Sequence, residues 1–278
     1  MKVYTVFAFT HGNLGGNAAG VCLVDDGIDA SEMLRIAAEV AYSETAFVRR
    51  LSESRFHIDY FTPTEQVELC GHATIASFFF LKESVGLCDG NYRLSTRSYD
   101  LTVAIEGDII HMEQPKAIFG RGVPSDEIAL SLGICESELL ENPKIRAVST
   151  GIMDLMVGVD SKDTLKKIIP DFDKIRKISE SYEVGGYHVY ALTEGDYTAY
   201  VRNFAPILGI DEESATGTSN CALSALLREN GRVEDVFRFH QGMWMNAPSD
   251  IITKYDSDKD SYWVGGSGKI DRALTFKF

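Results

Sequence analysis

A carboxylate and an imidazole in this 278-residue sequence could take part in proton transfer. Glu44 lies in the stretch AYSETAF, between small and aromatic residues, and His72 follows Gly71 in the stretch CGHAT. From the residues alone, Glu44 is either a solvated turn residue or a buried acid held for proton transfer. His72 either caps a predicted helix or passes a proton beside a bound anion.

Two glycines predict helix N-termini that could hold an anion. Gly71-His72-Ala73 and Gly217-Thr218-Ser219 each begin a largely apolar stretch. The first N–H groups of a helix lack intrahelical partners and carry partial positive charge, and glycine lets a ligand approach them. Either glycine alone could be only a tight turn. The matched pair indicates a holder for a carboxylated small molecule.

Cys70 suggests a different chemistry, the epimerisation of an amino acid by a pair of thiols. A thiol just before a helix N-terminus is well placed to ionise, and two facing thiols could remove and return an α-proton. The matching position before Gly217 is Thr216, so a second thiol is missing from the pattern. We therefore interpret Cys70 as a small buried residue.

Other motifs argue against metals and nucleotide cofactors. The five cysteines are scattered without a C-x-x-C pair, and the six histidines show no H-x-x-x-H pair, which predicts neither a disulfide framework nor a metal site. The glycine-rich stretch 12–20 is not a dinucleotide motif, and 265–270 ends in Ile270 where a P-loop needs Ser or Thr. We interpret Met243-Trp244-Met245 as core strand rather than a cofactor contact.

The net charge and the short apolar runs of the chain argue against several classes of partner. A net charge of −14 repels phosphate backbones and anionic lipid, so nucleic acid and membrane partners are not expected. The longest strongly apolar run, 75–81, is too short to span a bilayer. The first residues lack the apolar core of a signal peptide, and we expect a cytoplasmic protein.

Short strands dominate the first part of the chain. A helix is predicted over 31–41 with Ser31 as its cap, and a hairpin over 99–115 that turns at 106–108. Runs rich in β-branched and aromatic residues predict four strands, at 2–9, 19–25, 45–51 and 55–62.

An internal repeat predicts a duplicated α+β chain. Residues 55–86 and 197–231 share, in order, a strand ending in Phe-x-Pro, an acidic loop, a glycine, an apolar helix and a second glycine. Helices apolar on most faces should each be wrapped by a sheet. We predict an N-terminal lobe over 1–117, with 268–278 as a candidate to complete it, and a C-terminal lobe over 118–267. A cleft between such lobes is a common ligand site.

Four stretches together carry a family resemblance: GGNAAGV, SETAF, FTPTEQVELCGHATIA and ATGTSN. In this order, over essentially the whole chain, they closely resemble the PhzF family, the phenazine-biosynthesis-like isomerases. The resemblance implies the diaminopimelate epimerase fold, with two pseudo-symmetric lobes, each a β-barrel around a central helix, and the site between them. It also implies an isomerase with no cofactor and, in most members, a homodimer.

The resemblance also implies roles for single residues. In the best-known member the Glu of the SET motif, here Glu44, shuttles a proton in the isomerisation of a dihydro-hydroxyanthranilate, which makes Glu44 a general acid/base. His72 is implied beside the substrate. The positions implied for substrate binding are Asn17, Gly71, Ala73, Gly217 and Thr218.

Departures from the family pattern keep the alternatives open. Glu213 is a predicted catalytic residue that assists Glu44 together with His72. It stands where an Asp is expected, so this role and the substrate are in question; Ala18 stands where Pro is usual. The leading hypothesis is a cofactor-free isomerase of a small carboxylated metabolite, with cyclic compounds included. The alternatives are a non-catalytic binding protein on the same fold and an amino-acid-type epimerase.

Overall fold

The computed structural model describes residues 1–25 and 27–276, and the chain divides into two compact units. The first unit comprises Met1–Glu113 and the segment that starts at Gly265, and the second comprises Gln114–Val264. Each unit has its own apolar interior. In the second, buried aliphatic side chains surround Tyr187 and Phe204.

The described residues form six α-helices and eighteen strands. The helices are α1 (Ala30–Val40), α2 (Gly71–Phe80), α3 (Ser125–Leu132), α4 (Lys162–Lys167), α5 (Phe172–Tyr182) and α6 (Gly217–Glu229). The strands are β1 (Lys2–Ala8), β2 (Asn17–Leu23), β3 (Thr45–Arg50), β4 (Arg55–Phe61), β5 (Gln66–Val67), β6 (Gly90–Ser95), β7 (Asp100–Glu106), β8 (Ile109–Gln114), β9 (Ile118–Gly122), β10 (Arg146–Ser149), β11 (Met153–Val159), β12 (Gly186–Leu192), β13 (Ala199–Ala205), β14 (Ile210–Glu213), β15 (Val236–Gln241), β16 (Ser249–Asp256), β17 (Ser261–Gly266) and β18 (Gly268–Thr275).

The local predictions for the first part of the chain are confirmed. The four predicted strands correspond to β1–β4, and the hairpin to β7 and β8. The hairpin turns at Gly107, whose φ of +55° is a left-handed conformation that glycine adopts without steric cost. Among the helices of the described residues, none is long and apolar enough to cross a bilayer.

The predicted cap of α1 is wrong by two residues. Asp29, not Ser31, is the N-cap, and its carboxylate accepts a hydrogen bond from the Glu32 N–H at 2.9 Å. Ser31 lies inside the helix and donates its hydroxyl to Asp29 at 2.6 Å. An N-cap side chain accepts a hydrogen bond from the backbone N–H three residues later in the chain. The carboxylate of Asp29 makes this bond.

The cap can be tested with a matched pair of variants. We expect Asp29→Ala to lower the free energy of unfolding by about 0.5–2 kcal/mol, because a helix N–H loses its partner. Ser31→Ala should cost less than about 0.5 kcal/mol, as exposed substitutions usually do. Urea denaturation measures both, and an equal loss in the two variants would contradict Asp29 as the cap.

The interpretation of Met243-Trp244-Met245 as core strand is also wrong. These residues form a 3₁₀ turn, and none of the three is buried. The strand stops at Gln241 because Gly242 turns the chain with a φ of +72°. A Cβ at Gly242 would meet the Ala247 carbonyl oxygen at 2.2 Å, so only glycine fits this turn.

The strand pairing within the first unit recurs within the second. In the first, β2 is parallel to β3, β3 is antiparallel to β4, and β4 is antiparallel to β5 and parallel to β6. In the second, β11, β12, β13, β14 and β15 pair in the same senses and order. Duplication of the chain remains a prediction, and this matched pairing supports it.

Each unit buries one helix among its strands, as the apolar pattern predicts. Eight of the ten residues of α2 are buried, and the helix packs on β1, β2, β3 and β18. Ten of the thirteen residues of α6 are buried, and it packs on β10, β11, β12 and β16. The glycine at each helix start therefore lies where the chain leaves a strand and enters the interior of a unit.

Candidate active site

The backbone of Glu44 is fixed between α1 and β3. Helix α1 ends at Val40, its C-cap residue Ala41 adopts a left-handed φ of +57°, and β3 begins at Thr45. The Glu44 carbonyl accepts a hydrogen bond from the Gly20 N–H at 3.0 Å. A Cβ at Gly20 would lie 2.7 Å from the Thr45 hydroxyl oxygen, so the absence of a side chain there lets β2 approach. The close pairing of β2 and β3 thus fixes where the Glu44 side chain starts.

The Glu44 side chain is turned inward. It is 17% exposed, and its Oε2 atom is buried 3.3 Å from Nε2 of His72. Within the described residues, Oε2 accepts no hydrogen bond of good geometry. Glu44 is therefore not the solvated turn residue that was one of the two alternatives at the sequence level. A buried carboxylate oxygen without a hydrogen-bond donor costs free energy, so this oxygen is available for a ligand.

The imidazole of His72 lies between a carboxylate and a thiol. His72 is the second residue of α2 and is buried, with 6% of its side chain exposed. Its Nε2 faces Glu44 and lies 3.4 Å from the Ser43 hydroxyl, and its Nδ1 lies 3.4 Å from the sulfur of Cys70. The ring therefore connects the start of the helix to the loop before β3.

Cys70 is buried, as interpreted from the sequence, but its surroundings were not foreseen. It is the N-cap residue of α2, and its side chain makes no cap hydrogen bond. Its carbonyl accepts from the Thr74 N–H and the Thr74 hydroxyl. The thiol is thereby held beside the imidazole, where it belongs to the same cluster as Glu44.

The other substrate-binding positions predicted for the first unit occupy two places. Gly71 is half-buried and Ala73 fully buried, both in the first turn of α2. Gly71 is a residue of a right-handed helix, so no left-handed conformation explains the glycine. Asn17 is the first residue of β2, half-buried and paired in register with Ala8.

Glu213 lies in the second unit, at the end of β14 and close to the start of α6. Its carboxylate accepts the Thr216 hydroxyl at 2.8 Å, and its carbonyl accepts the side-chain amide of Gln241 at 2.8 Å. The Gln241 amide oxygen accepts the Thr216 N–H at 3.1 Å. These bonds fix the loop before Gly217, so the longer side chain at 213 is used to hold its own loop.

Thr218 is positioned from a neighbouring loop of the second unit. Its carbonyl accepts the Thr150 hydroxyl at 2.9 Å. A Cβ at Gly151 would meet the Thr218 methyl group at 2.9 Å, so that loop packs directly on the helix start. Gly217 itself is buried in the first turn of α6.

A buried polar network under α6 was missed at the sequence level. Asp154 in β11 accepts the Ser219 hydroxyl, and burial raises the pKa of Asp154 to about 6. His188 in β12 donates from Nε2 to the Asn220 amide oxygen and accepts at Nδ1 from the Asn203 amide, both at 3.2 Å. Burial lowers the pKa of His188 to about 4.

A sequence signal for this network does exist. Asp154 is the one charged residue of the strand MDLMVGV, and His188 interrupts the apolar stretch VGGYHVYAL. A charged residue in an otherwise buried strand has to be paired or neutral. These two positions therefore pointed to a polar partner on the helix that packs on both strands.

Comparison with known proteins gives a consistent family assignment. The family model for phenazine biosynthesis-like proteins, PhzC-PhzF, matches residues 6–272. An uncharacterized isomerase of Clostridium acetobutylicum is 36% identical over 237 residues, which cover 81% of this chain and 78% of that protein. The predicted isomerase class is confirmed by this relative.

Solved structures confirm the predicted α+β, epimerase-like fold. A PhzF-family protein of Bacillus anthracis superposes with a TM-score of 0.91 at 23% identity, covering 100% of this chain and 99% of the other. A probable proline racemase of Agrobacterium radiobacter with bound carbonate gives a TM-score of 0.62 at 12% identity, covering 99% and 92%.

Proposed function

Because this chain belongs to the PhzC-PhzF family of phenazine biosynthesis-like proteins, we propose that it is an isomerase that moves a proton between carbon atoms of a small carboxylated metabolite. The reaction needs no cofactor in this proposal. The observation that carries it is the buried Oε2 of Glu44, which faces the His72 imidazole at the start of α2 and accepts no hydrogen bond within the described residues.

Glu44 is the general base and then the general acid. Its carboxylate takes a proton from a carbon next to an unsaturated, electron-withdrawing group, and the C–H electron pair moves into that conjugated system. The carboxylic acid then returns the proton to a second carbon, and the double bond shifts. Nothing is oxidised or reduced, and Glu44 ends in its starting state.

His72 holds the carboxyl group in place. With Nε2 protonated, a rotation of the imidazole would direct its N–H to Oε2 of Glu44, 3.3 Å from Nε2, and Nδ1 is left as an acceptor beside the Cys70 thiol. This tautomer is assigned from the partners on either side. The carboxyl group of Glu44 alternates between its protonated and its ionised form. A small rotation of the neutral imidazole keeps the ring in contact with either form.

The helix start is the proposed holder of the substrate carboxylate. The N–H groups of Gly71 and Ala73 belong to the first turn of α2, which favours negative charge, and Asn17 is a further proposed contact. In the second unit, the start of α6 at Gly217 and Thr218 has the same character, with Glu213 holding its loop. The two helix starts are proposed as anion-binding positions independently of each other.

Removing the substrate's negative charge tests this role. For any acid that the protein turns over, we expect the methyl ester to have a KM raised by up to about thirtyfold, since charge at a helix N-terminus is worth up to ~2 kcal/mol. Steady-state kinetics on the acid and its ester measure the ratio. Equal KM values would contradict a carboxylate held by helix N–H groups.

The function is tested by proton exchange in D2O. A panel of small carboxylic acids, dihydro-hydroxyanthranilate among them, is incubated with the wild type and with Glu44→Gln, and carbon-bound deuterium is followed by NMR. Exchange with the wild type that disappears in Glu44→Gln supports the proposal and identifies a substrate class. Binding of an acid without any exchange would favour the second reading, a non-catalytic binding protein on this fold.

An amino-acid-type epimerase is the other candidate, and the position of Cys70 beside His72 favours it. The thiol lies 3.4 Å from Nδ1, so the imidazole could accept its proton. Exchange that persists in Glu44→Gln but is lost in Cys70→Ser would move the base to the thiol. A homodimer and a cytoplasmic location remain predictions.

A further inference from the structure

The cluster around Glu44 offers three kinds of metal-binding atom. One ligand atom each from Glu44, Cys70 and His72, that is a carboxylate oxygen, a thiol sulfur and a ring nitrogen, all lie within 4.8 Å of one another. We propose that these residues bind one zinc-like divalent cation, and that the bound cation inhibits the isomerase.

The spacing of the ligand atoms suits a tetrahedral cation. Bonds of ~2.0 Å to nitrogen and oxygen and ~2.3 Å to sulfur place ligand atoms roughly 3.3–3.5 Å apart at tetrahedral angles. Nε2 of His72 lies 3.3 Å from Oε2 of Glu44 and 4.0 Å from the sulfur of Cys70. The first distance fits directly, whereas the sulfur now lies nearer Nδ1, at 3.4 Å, and Cys70 must change its side-chain rotamer to reach a cation bound at Nε2.

Burial and charge both favour occupation of the site. The side chains of Cys70 and His72 are only 8% and 6% exposed, so the cation would be held away from bulk water. The Oε2 atom of Glu44 is a buried acceptor that receives no hydrogen bond from the described residues. The net charge of −14 raises the local concentration of cations.

Three protein ligands leave a fourth tetrahedral position open. Ser43, whose hydroxyl lies 3.4 Å from Nε2 of His72, is exposed, so water can reach this side of the cluster. Cys, His and Glu offer sulfur, nitrogen and oxygen ligands. Zinc binds such a mixed set, whereas magnesium and calcium bind oxygen ligands. The proposal is therefore for a borderline-soft divalent cation such as zinc.

Binding has a defined proton balance and a defined consequence. The Cys70 thiol releases its proton to solvent as the sulfur–metal bond forms, the proton of the His72 ring moves from Nε2 to Nδ1 through solvent so that Nε2 can bind, and water leaves the cation. The Glu44 oxygen that is then bound to metal can no longer accept a substrate proton. The inhibition rests on the proposed function, whereas the binding does not.

Cobalt(II) absorption is the direct test of binding. The full chain, freed of metal with a chelator, is titrated at neutral pH with Co²⁺ and then with Zn²⁺, following the thiolate-to-cobalt charge-transfer band and the heat of zinc binding. We expect one site per chain, no thiolate band in Cys70→Ser, and a zinc Kd raised more than about tenfold in Glu44→Gln and in His72→Gln.

Matched controls separate this site from adventitious binding. Cys88 and Cys135 are exposed free thiols, and a Cys88→Ser/Cys135→Ser double variant should keep the band and the Kd. In the second unit, His240 and Asp250 form a pair with Nδ1 and Oδ1 2.8 Å apart, and His240→Gln should likewise change nothing. Circular dichroism of Cys70→Ser and Cys70→Ala shows whether these variants are folded. A band lost in a folded variant reflects the loss of the thiol ligand.

The binding site is tested without reference to activity, and proton exchange tests the inhibition. A band that persists in folded Cys70→Ser, or is lost in the double variant, would overturn the site, as would the absence of binding. If the band behaves as expected but no acid exchanges protons, the metal site stands and the proposed function fails. If exchange occurs and added zinc leaves it unchanged at saturation of the site, the inhibition is refuted.

Discussion

Glu44→Gln is expected to slow proton transfer by about 10²–10⁴-fold, the range in which a positioned general acid/base contributes. The amide has the shape of the carboxyl group but cannot accept a proton from carbon. It still fits beside the His72 ring, so substrate binding and folding should survive. The comparison is made on the acid that shows the fastest exchange with the wild type, by NMR at saturating substrate.

Glu39→Gln is the matched control for this variant. Glu39 is an exposed residue of α1 that pairs with Arg35, and its replacement removes the same charge from the same unit. We expect full exchange from this control and a free energy of unfolding within about 0.5 kcal/mol of the wild type. A similar rate in Glu44→Gln and Glu39→Gln would refute the assignment of the base.

Asp154→Asn and His188→Gln are expected to change the pH dependence of stability in opposite directions. Burial raises the pKa of Asp154 from 3.8 to about 6, so the folded chain holds a proton that the unfolded chain has lost. The contribution of Asp154 to stability therefore falls as the pH rises from about 4 to 6, by about 3 kcal/mol. Asp154→Asn removes this loss.

His188 acts with the opposite sign over nearly the same range. Burial lowers its pKa from 6.5 to about 4, so the unfolded chain binds a proton that the folded chain refuses. Its contribution to stability rises with pH between about 4 and 6.5, again by about 3 kcal/mol. In the wild type the pH-dependent contributions of Asp154 and His188 to stability oppose each other. Each variant removes one contribution, so the pH dependence of the other group can be measured.

Urea denaturation at several pH values between 4 and 7 measures both slopes. Stability relative to wild type should increase with pH for Asp154→Asn and decrease with pH for His188→Gln. Asp163→Asn, at an exposed position of α4, is the control and should follow the wild type. Parallel curves for all four proteins would show that neither buried group changes its protonation in this range.

The fold could be predicted where local and global signals agree. Both central helices begin at a glycine, Gly71 or Gly217, and run on in residues that are apolar on most faces, which is a signal for a helix enclosed by strands. The cap of α1 was misplaced because Ser31 and Asp29 are both good caps, and only the path of the backbone decides between them.

The composition of the site could be predicted only in part. The sequence motifs predict Glu44 and His72, whereas the place of Cys70 beside the ring depends on the turn of the chain at the N-cap of α2. The sequence showed no metal-ligand spacing, because one ligand comes from the loop before β3 and two from the start of α2. Such a set is assembled by the pairing of β2 with β3, which no short motif records.

The last strand, β18, has a consequence for how the chain is made. It pairs antiparallel with β1, so that Lys2 meets Thr275 and Ala8 meets Gly268. At a synthesis rate of roughly 5–20 residues per second, β18 is made tens of seconds after β1. Until then one edge of β1 has unpaired backbone groups that can pair with another chain. The second unit is one continuous stretch of chain and can fold within that interval. In a nascent chain, one edge of β1 therefore stays unpaired until the residues of β18 have been synthesised.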